Sequence, residues 1–187
     1  MLKHRIAVGL VTVGVVGGGS AGALAAKGAP AASKHTTITA VSKMEVKINR
    51  WVKDGMRWNR DVYTVRSGGT ITIVNKAPQE GPHTFTVVAK RDLPRTPMQI
   101  NNCKVCGTVA QEHGADPNSP APPKFLFVDN GVGTNTPPSI DRPGDSAFIA
   151  PKMGAKVTLK VTAKPGTTLY FMCVVHPWMQ AKLIVTK

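Results

Sequence analysis

The stretch FMCVVHPWMQAKLIV, residues 171–185, places a cysteine, a histidine and a methionine within seven positions near the end of a 187-residue chain. The whole chain has three cysteines, five histidines and seven methionines, so this convergence calls for a chemical reason. The run into it, Thr168 to Cys173, reads as a strand. Successive side chains leave a strand on opposite faces, which groups Leu169, Phe171 and Cys173 on one side and Thr168, Tyr170 and Met172 on the other. Leu and Phe mark the core side, so Cys173 points inward and Met172 is a structural residue of the opposite face. The chain then leaves the strand at Val174 and Val175, presents His176, turns at Pro177, presents Met179, and resumes as a strand over 181–186. One short loop offers a thiolate, an imidazole and a thioether at one end of a sheet.

A lone buried cysteine packs as a small hydrophobe. Beside His176 and Met179 at this spacing, Cys173 instead suits copper. Soft sulfur donors joined to imidazole, in a His₂Cys plane with a weak axial Met, make the type-1 copper site. That plane needs a second histidine. With His4 set aside in the N-terminal segment, His35, His83 and His113 are the candidates. His83 is the best placed, since EGPHTFTVV (80–88) puts it at the start of a strand after a Pro/Gly-rich turn. His35 falls in a leader and His113 in an insertion.

The rest of the chain lacks a sustained helical period. Short alternating or β-branched runs recur: MEVKI (44–48), DVYTV (61–65), TITIV (70–74), HTFTVV (83–88), KVTLKVT (156–162), TLYFMC (168–173) and AKLIVT (181–186). Turn signals at Ser67-Gly68-Gly69, Pro78 to Pro82 and Lys164-Pro165-Gly166 separate several of them. Many short strands with Gly/Pro turns argue for an all-β sandwich or barrel. Residues 90–147 differ: they hold most of the fifteen prolines, a CKVC motif, and little strand pattern beyond KFLFV (124–128). They read as one long insertion between the first-histidine strand and the Cys-bearing strand.

The pairing of Gly81-Pro82-His83 with a downstream C-x2-H-x2-M resembles the small cupredoxins, and the loop CVVHPWM is most similar to that of amicyanin. The resemblance covers about 62–89 and 147–187, with weaker support at 44–52. It implies a Greek-key β-sandwich in which His83, Cys173 and His176 are the equatorial ligands of one type-1 copper ion and Met179 the axial one. Two departures stand out. The family usually has Asn after the first histidine, where this chain has Thr84, and the turn from Asn75 to His83 is longer than usual. Both bear on the neighbours of Cys173 that tune such a site.

Cys103 and Cys106 read first as a disulfide closing a tight loop, since exported cysteines usually pair. A redox-active pair and a second metal site with His113 are the alternatives. Attachment of a c-type haem is disfavoured, because Gly107 stands where a histidine is needed. Trp51 and Trp58 read as packing residues. Trp178, between two candidate ligands, belongs either on an apolar rim beside His176 or packed over the metal.

The N-terminus has the pattern of an export signal: a basic start with Lys3 and Arg5, an apolar run over 6–16, and an Ala23-Leu24-Ala25 cleavage pattern. Cleavage near Ala25 or Ala26 is expected; an uncleaved anchor over 6–26 is the alternative. The expected layout is a signal over 1–26, a flexible leader over 27–43, and one domain over 44–187 with its insertion at 90–147. An exported protein is the consequence, in the periplasm, the envelope or outside the cell. Lys+Arg 24 against Asp+Glu 10 gives a net charge of +14, or +12 once Lys3 and Arg5 leave with the signal. Such a field attracts acidic proteins, anionic lipid or cell-wall polymer. Nucleic acid is disfavoured by 5% aromatics and the lack of a recognisable binding motif.

These features lead to a one-electron carrier cycling Cu(II)/Cu(I), with an acidic redox partner and possible peripheral association with an anionic membrane or cell wall. Copper binding, storage or delivery in the envelope is the alternative. A copper oxidase or nitrite reductase is disfavoured, because His35 and His113 are too few for a further copper centre.

Overall fold

The computed structural model describes residues 32–187 except 117 and 120, and all of them but Glu80 to the side chain. The expected signal and its cleavage site lie outside these residues. Among the described residues no helix is long and apolar enough to cross a membrane.

Fourteen strands form among the described residues. Their order along the chain is β1 (His35–Val41), β2 (Glu45–Lys47), β3 (Trp51–Lys53), β4 (Arg57–Trp58), β5 (Val62–Arg66), β6 (Thr70–Asn75) and β7 (His83–Val88). There follow β8 (Phe127–Asp129), β9 (Val132–Thr134), β10 (Ser139–Ile140), β11 (Ser146–Ile149), β12 (Lys156–Val161), β13 (Thr168–Met172) and β14 (Gln180–Thr186). One sheet runs β10-β12-β6-β1-β4 and another β5-β14-β13-β7-β11-β8-β9, while β2 and β3 pair only with each other. The result is an all-β, Greek-key β-sandwich.

The alternation read from the sequence explains the packing. In β6 the isoleucines Ile71 and Ile73 are fully buried, and Thr70 and Thr72, on the other face, are not. They meet Ile38, Leu159 and Val161 of their own sheet and Phe85, Val87, Phe171, Leu183 and Val185 of the facing one in a single core. Phe171 sits at its centre, with ring centroids 4.6 Å from Phe85, 5.7 Å from Trp58 and 5.9 Å from Tyr63.

Three expectations change. The leader over 27–43 gives way to a strand from His35 onward: β1 runs parallel to β6 from His35↔Thr70 to Ala40↔Asn75, and Ile38 and Ala40 enter the core. The β-branched run Thr36-Thr37-Ile38-Thr39 carries that signal. Second, MEVKI contributes β2, but to a side hairpin with β3 rather than to the sandwich.

Third, the insertion at 90–147 is woven into the fold. It supplies α1 (Pro97–Asn101), α2 (Lys104–Glu112), β8, β9 and β10, and its end enters β11. It also lies on the outer face of the larger sheet. All six residues of β7 are buried, including Thr84, Thr86 and Val88, which alternation turns away from the core. Two ties hold the insertion there, the Pro94 carbonyl to the Gln180 amide and the Lys90 ammonium over the Tyr170 ring, while His113 meets Ser146 where the insertion enters β11.

Candidate metal centre

His83 opens β7 and Cys173 follows the last residue of β13. The register β7–β13, with Met172 opposite Thr86, holds these two strands side by side. The loop after Cys173 is closed by its own backbone: Met179 N–H donates to the His176 carbonyl at 2.8 Å, and Cys173 N–H to the Met179 carbonyl at 3.0 Å. That closure folds the C-x2-H-x2-M spacing into a tight turn and returns His176 and Met179 to the end of the sandwich.

The Cys173 sulfur lies 3.5 Å from His176 Nδ1 and 3.8 Å from His83 Nδ1. One donor atom from each of the three residues falls within 4.8 Å of the others. All three side chains are buried, His176 the least at 8% exposure. Met179 is fully buried in the core at the same turn. Of the sequence-chosen residues, His83, Cys173 and His176 thus come together. His35 does not: it is exposed at the start of β1, its Nδ1 2.8 Å from Thr70 Oγ1. His113 is buried behind the sheet, its Nδ1 2.8 Å from the Phe125 carbonyl.

The electrostatics suit a cation. His83 is pushed down to about 4 by burial and then by neighbouring His176, the Ala77 backbone acting the other way. The imidazole is therefore neutral, with a lone pair available for a metal. Burial pushes the Cys173 thiol up, while the backbone of Thr84, His176 and Val175 and the Thr84 side chain act to hold it down. A buried thiolate without a counter-charge is unfavourable, and a bound cation relieves that penalty. Two imidazoles and one thiol with no carboxylate among them select a soft or borderline ion such as copper.

Behind the cluster runs a polar chain. Thr84 N–H donates to Cys173 Sγ at 3.3 Å, and Val174 N–H donates to Thr84 Oγ1 at 2.9 Å. The Thr86 hydroxyl donates to Thr84 Oγ1 at 3.0 Å and lies 2.8 Å from Ser146 Oγ, which is 2.9 Å from His113 Nε2. Thr84, the departure noted after the first histidine, therefore grips the residues on both sides of the loop's start. The rest of this chain went unread in the sequence, although threonines at alternate positions of a strand buried on both faces are the signal. Trp58 was also read only as packing. It is buried, and its indole N–H donates to the Met179 carbonyl at 3.2 Å.

On the outside of the cluster, Trp178 is 41% exposed with its ring edge-on to His176 at 5.5 Å, and Val175 is 44% exposed. Trp178 thus sits on the rim. Cys103 and Cys106 form a disulfide at the start of α2.

No protein-family model and no curated protein matches the sequence. Solved structures similar to the chain include reduced auracyanin from Roseiflexus castenholzii, 17% identical, covering 83% of this chain and 99% of that one with a TM-score of 0.42. A purple cupredoxin from Nitrosopumilus maritimus is 13% identical over 81% of this chain and 99% of its own, TM-score 0.37. A blue copper oxidase from Nitrosomonas europaea is 16% identical, with 82% of this chain covering 39% of the oxidase, TM-score 0.37. These likenesses are distant, and the case for a metal centre stands on the donor cluster itself. An all-β sandwich that buries His83, Cys173 and His176 around one point fits a type-1 copper site.

Proposed function

We propose that the protein is an exported one-electron carrier in which His83, Cys173 and His176, with Met179, would hold a single copper ion. The observation that carries this reading is the convergence of two imidazole nitrogens and one thiol sulfur, all buried, at the end of a rigid sandwich. One copper ion there supplies a Cu(II)/Cu(I) couple. The protein's part is to hold the donors still, so that neither oxidation state requires rearrangement. The β7–β13 register, the closed backbone turn and the Thr84 grip on Cys173 and Val174 do this.

His176 reaches closest to solvent, and Val175 and Trp178 give it an apolar rim on which a redox partner can dock. The basic surface favours an acidic partner, with association weakening as salt rises. No catalytic role is assigned: His35 and His113 are each engaged elsewhere.

The test is to add Cu(II) to the chain without residues 1–26 and record visible absorption and EPR, with Cys173→Ala as control. An intense charge-transfer band with narrow copper hyperfine splitting, lost in the variant, supports the assignment. An ordinary Cu(II) spectrum unchanged by the variant overturns it. Rapid loss of copper during redox cycling would favour delivery or storage over electron transfer.

A further inference from the structure

The β2–β3 hairpin has no partner in the sandwich. Its register pairs Glu45 with Lys53, Val46 with Val52 and Lys47 with Trp51. Met44 stands just before β2, Val46 lies in it, Ile48 follows in the turn, and Val52 shares the face of its partner Val46. These four are 54%, 54%, 78% and 66% exposed, and Trp51 on the other side is 49% exposed. So large an unshielded apolar share in so short an element marks an interaction surface. Five cations, Lys43, Lys47, Arg50, Lys53 and Arg57, flank it against two acidic residues, Glu45 and Asp54, and all five are exposed.

The hairpin is held out from a fixed base. A Cβ on Gly55 would stand 2.1 Å from the Lys43 carbonyl oxygen, so the two arms cross at closest backbone approach. Immediately beyond, Met56 and Trp58 are buried, and Trp58 bonds the Met179 carbonyl. At the other arm, Lys76 N–H donates to the Ala40 carbonyl, at the end of β1 that adjoins the turn leading to His83. The hairpin thus springs from the metal-bearing end of the sandwich.

We infer that this hairpin docks the protein on an anionic lipid bilayer, its apolar side chains entering the interface and its cations meeting the headgroups. A stable protein interface buries about 800 Å² on each partner, which strands of three residues do not present on their own. A bilayer interface asks for less: a few apolar side chains, a tryptophan at headgroup level and flanking Lys or Arg. Charge complementarity with acidic lipid is met by the net +3 of the hairpin and by the basic character of the whole chain. Docked this way, the protein turns its metal-bearing end toward the bilayer. The inference does not depend on the copper assignment, since the hairpin is part of the chain with or without metal.

The test uses the chain from residue 27 onward, which keeps the whole core and removes the apolar N-terminal run. Co-sedimentation is measured with phosphatidylglycerol/phosphatidylcholine vesicles and with phosphatidylcholine alone, for the parent, for Ile48→Asp/Val52→Asp, and for Lys47→Glu/Arg50→Glu. All have exposed sites, so far-UV circular dichroism should stay unchanged. The expected result is binding to the acidic vesicles only, weakened by roughly tenfold or more in each variant. Parent-like binding by Ile48→Asp/Val52→Asp would reduce the effect to plain charge attraction and overturn the inference. So would no binding by the parent. A concentration-dependent dimer of the parent, abolished in the apolar variant, would assign the hairpin to a second copy instead.

Discussion

Replacing Thr84 by valine isolates one oxygen beside the metal centre. Valine has nearly the shape of threonine and leaves Thr84's backbone N–H on Cys173 Sγ in place. What disappears is the Oγ1 that accepts from Val174 N–H at 2.9 Å and from the Thr86 hydroxyl at 3.0 Å. Thr86 retains Ser146 as a neighbour, so its loss is partial. The Val174 N–H, in a half-buried residue of the loop, loses its acceptor, and a donor left without a partner costs about 1–3 kcal/mol. A value of about 2 kcal/mol corresponds to a fall in melting temperature of roughly 4–8 °C in a protein of this size. The assay is thermal or urea unfolding of the metal-free protein, with Thr84→Ser as companion, because serine retains the oxygen. In the copper-loaded protein, the freed Val174 peptide should shift the charge-transfer band and the reduction potential in Thr84→Val and spare Thr84→Ser. Equal stability of Thr84→Val and the parent within about 0.5 kcal/mol, with an unchanged spectrum, would refute the reasoning.

His113 yields a pH prediction: burial holds its imidazole below the ordinary value, with the Phe125 carbonyl acting the other way. The folded state prefers the neutral ring, so its contribution is whole above about pH 6.5 and is lost as pH falls through the lower folded value. His113→Phe should flatten that acid limb of a urea-midpoint profile; an identical slope in both proteins would count against it. Gly55→Ala should be strongly destabilising, because the new methyl meets backbone at 2.1 Å, and hydrogen exchange in residues 43–57 should accelerate. Trp58→Phe keeps a ring in the core but leaves the Met179 carbonyl one donor short, at about 0.5–1.5 kcal/mol, and should alter the copper EPR spectrum. An unaltered EPR spectrum would mean that the indole does not position Met179.

The parts of the fold most legible in the sequence were those with a period of two. TITIV, HTFTVV, KVTLKVT, TLYFMC and AKLIVT all became strands at or within a residue or two of their read positions. The donor cluster of His83, Cys173 and His176 was legible because cysteine and histidine are rare in this chain and these three fall at a loop and a strand start. Less legible was whatever depends on what lies across a sheet face. Trp51 and Trp58 look alike in sequence, yet Trp51 is half exposed on the hairpin and Trp58 is buried. His113 read as an insertion histidine, because nothing local says that Ser146, 33 residues on, stands opposite it. The first strand was missed although its β-branched run Thr36 to Thr39 carries a local signal; only its pairing with Thr70 to Asn75 lies beyond local pattern.

The third layer that the insertion lays over the larger sheet also bears on chemical damage. Met172, next to Cys173, faces away from the core, and in a sandwich of two bare layers its sulfur would be open to peroxide. Here it is fully buried. Oxidation of a thioether follows its accessibility, so sulfoxide at Met172 becomes a clock for undocking of the insertion. Met98 and Met153, 75% and 58% exposed, serve as the unprotected standards in the same molecule. The lag of Met172 behind them in a peroxide time course measures how seldom the back of the metal centre opens.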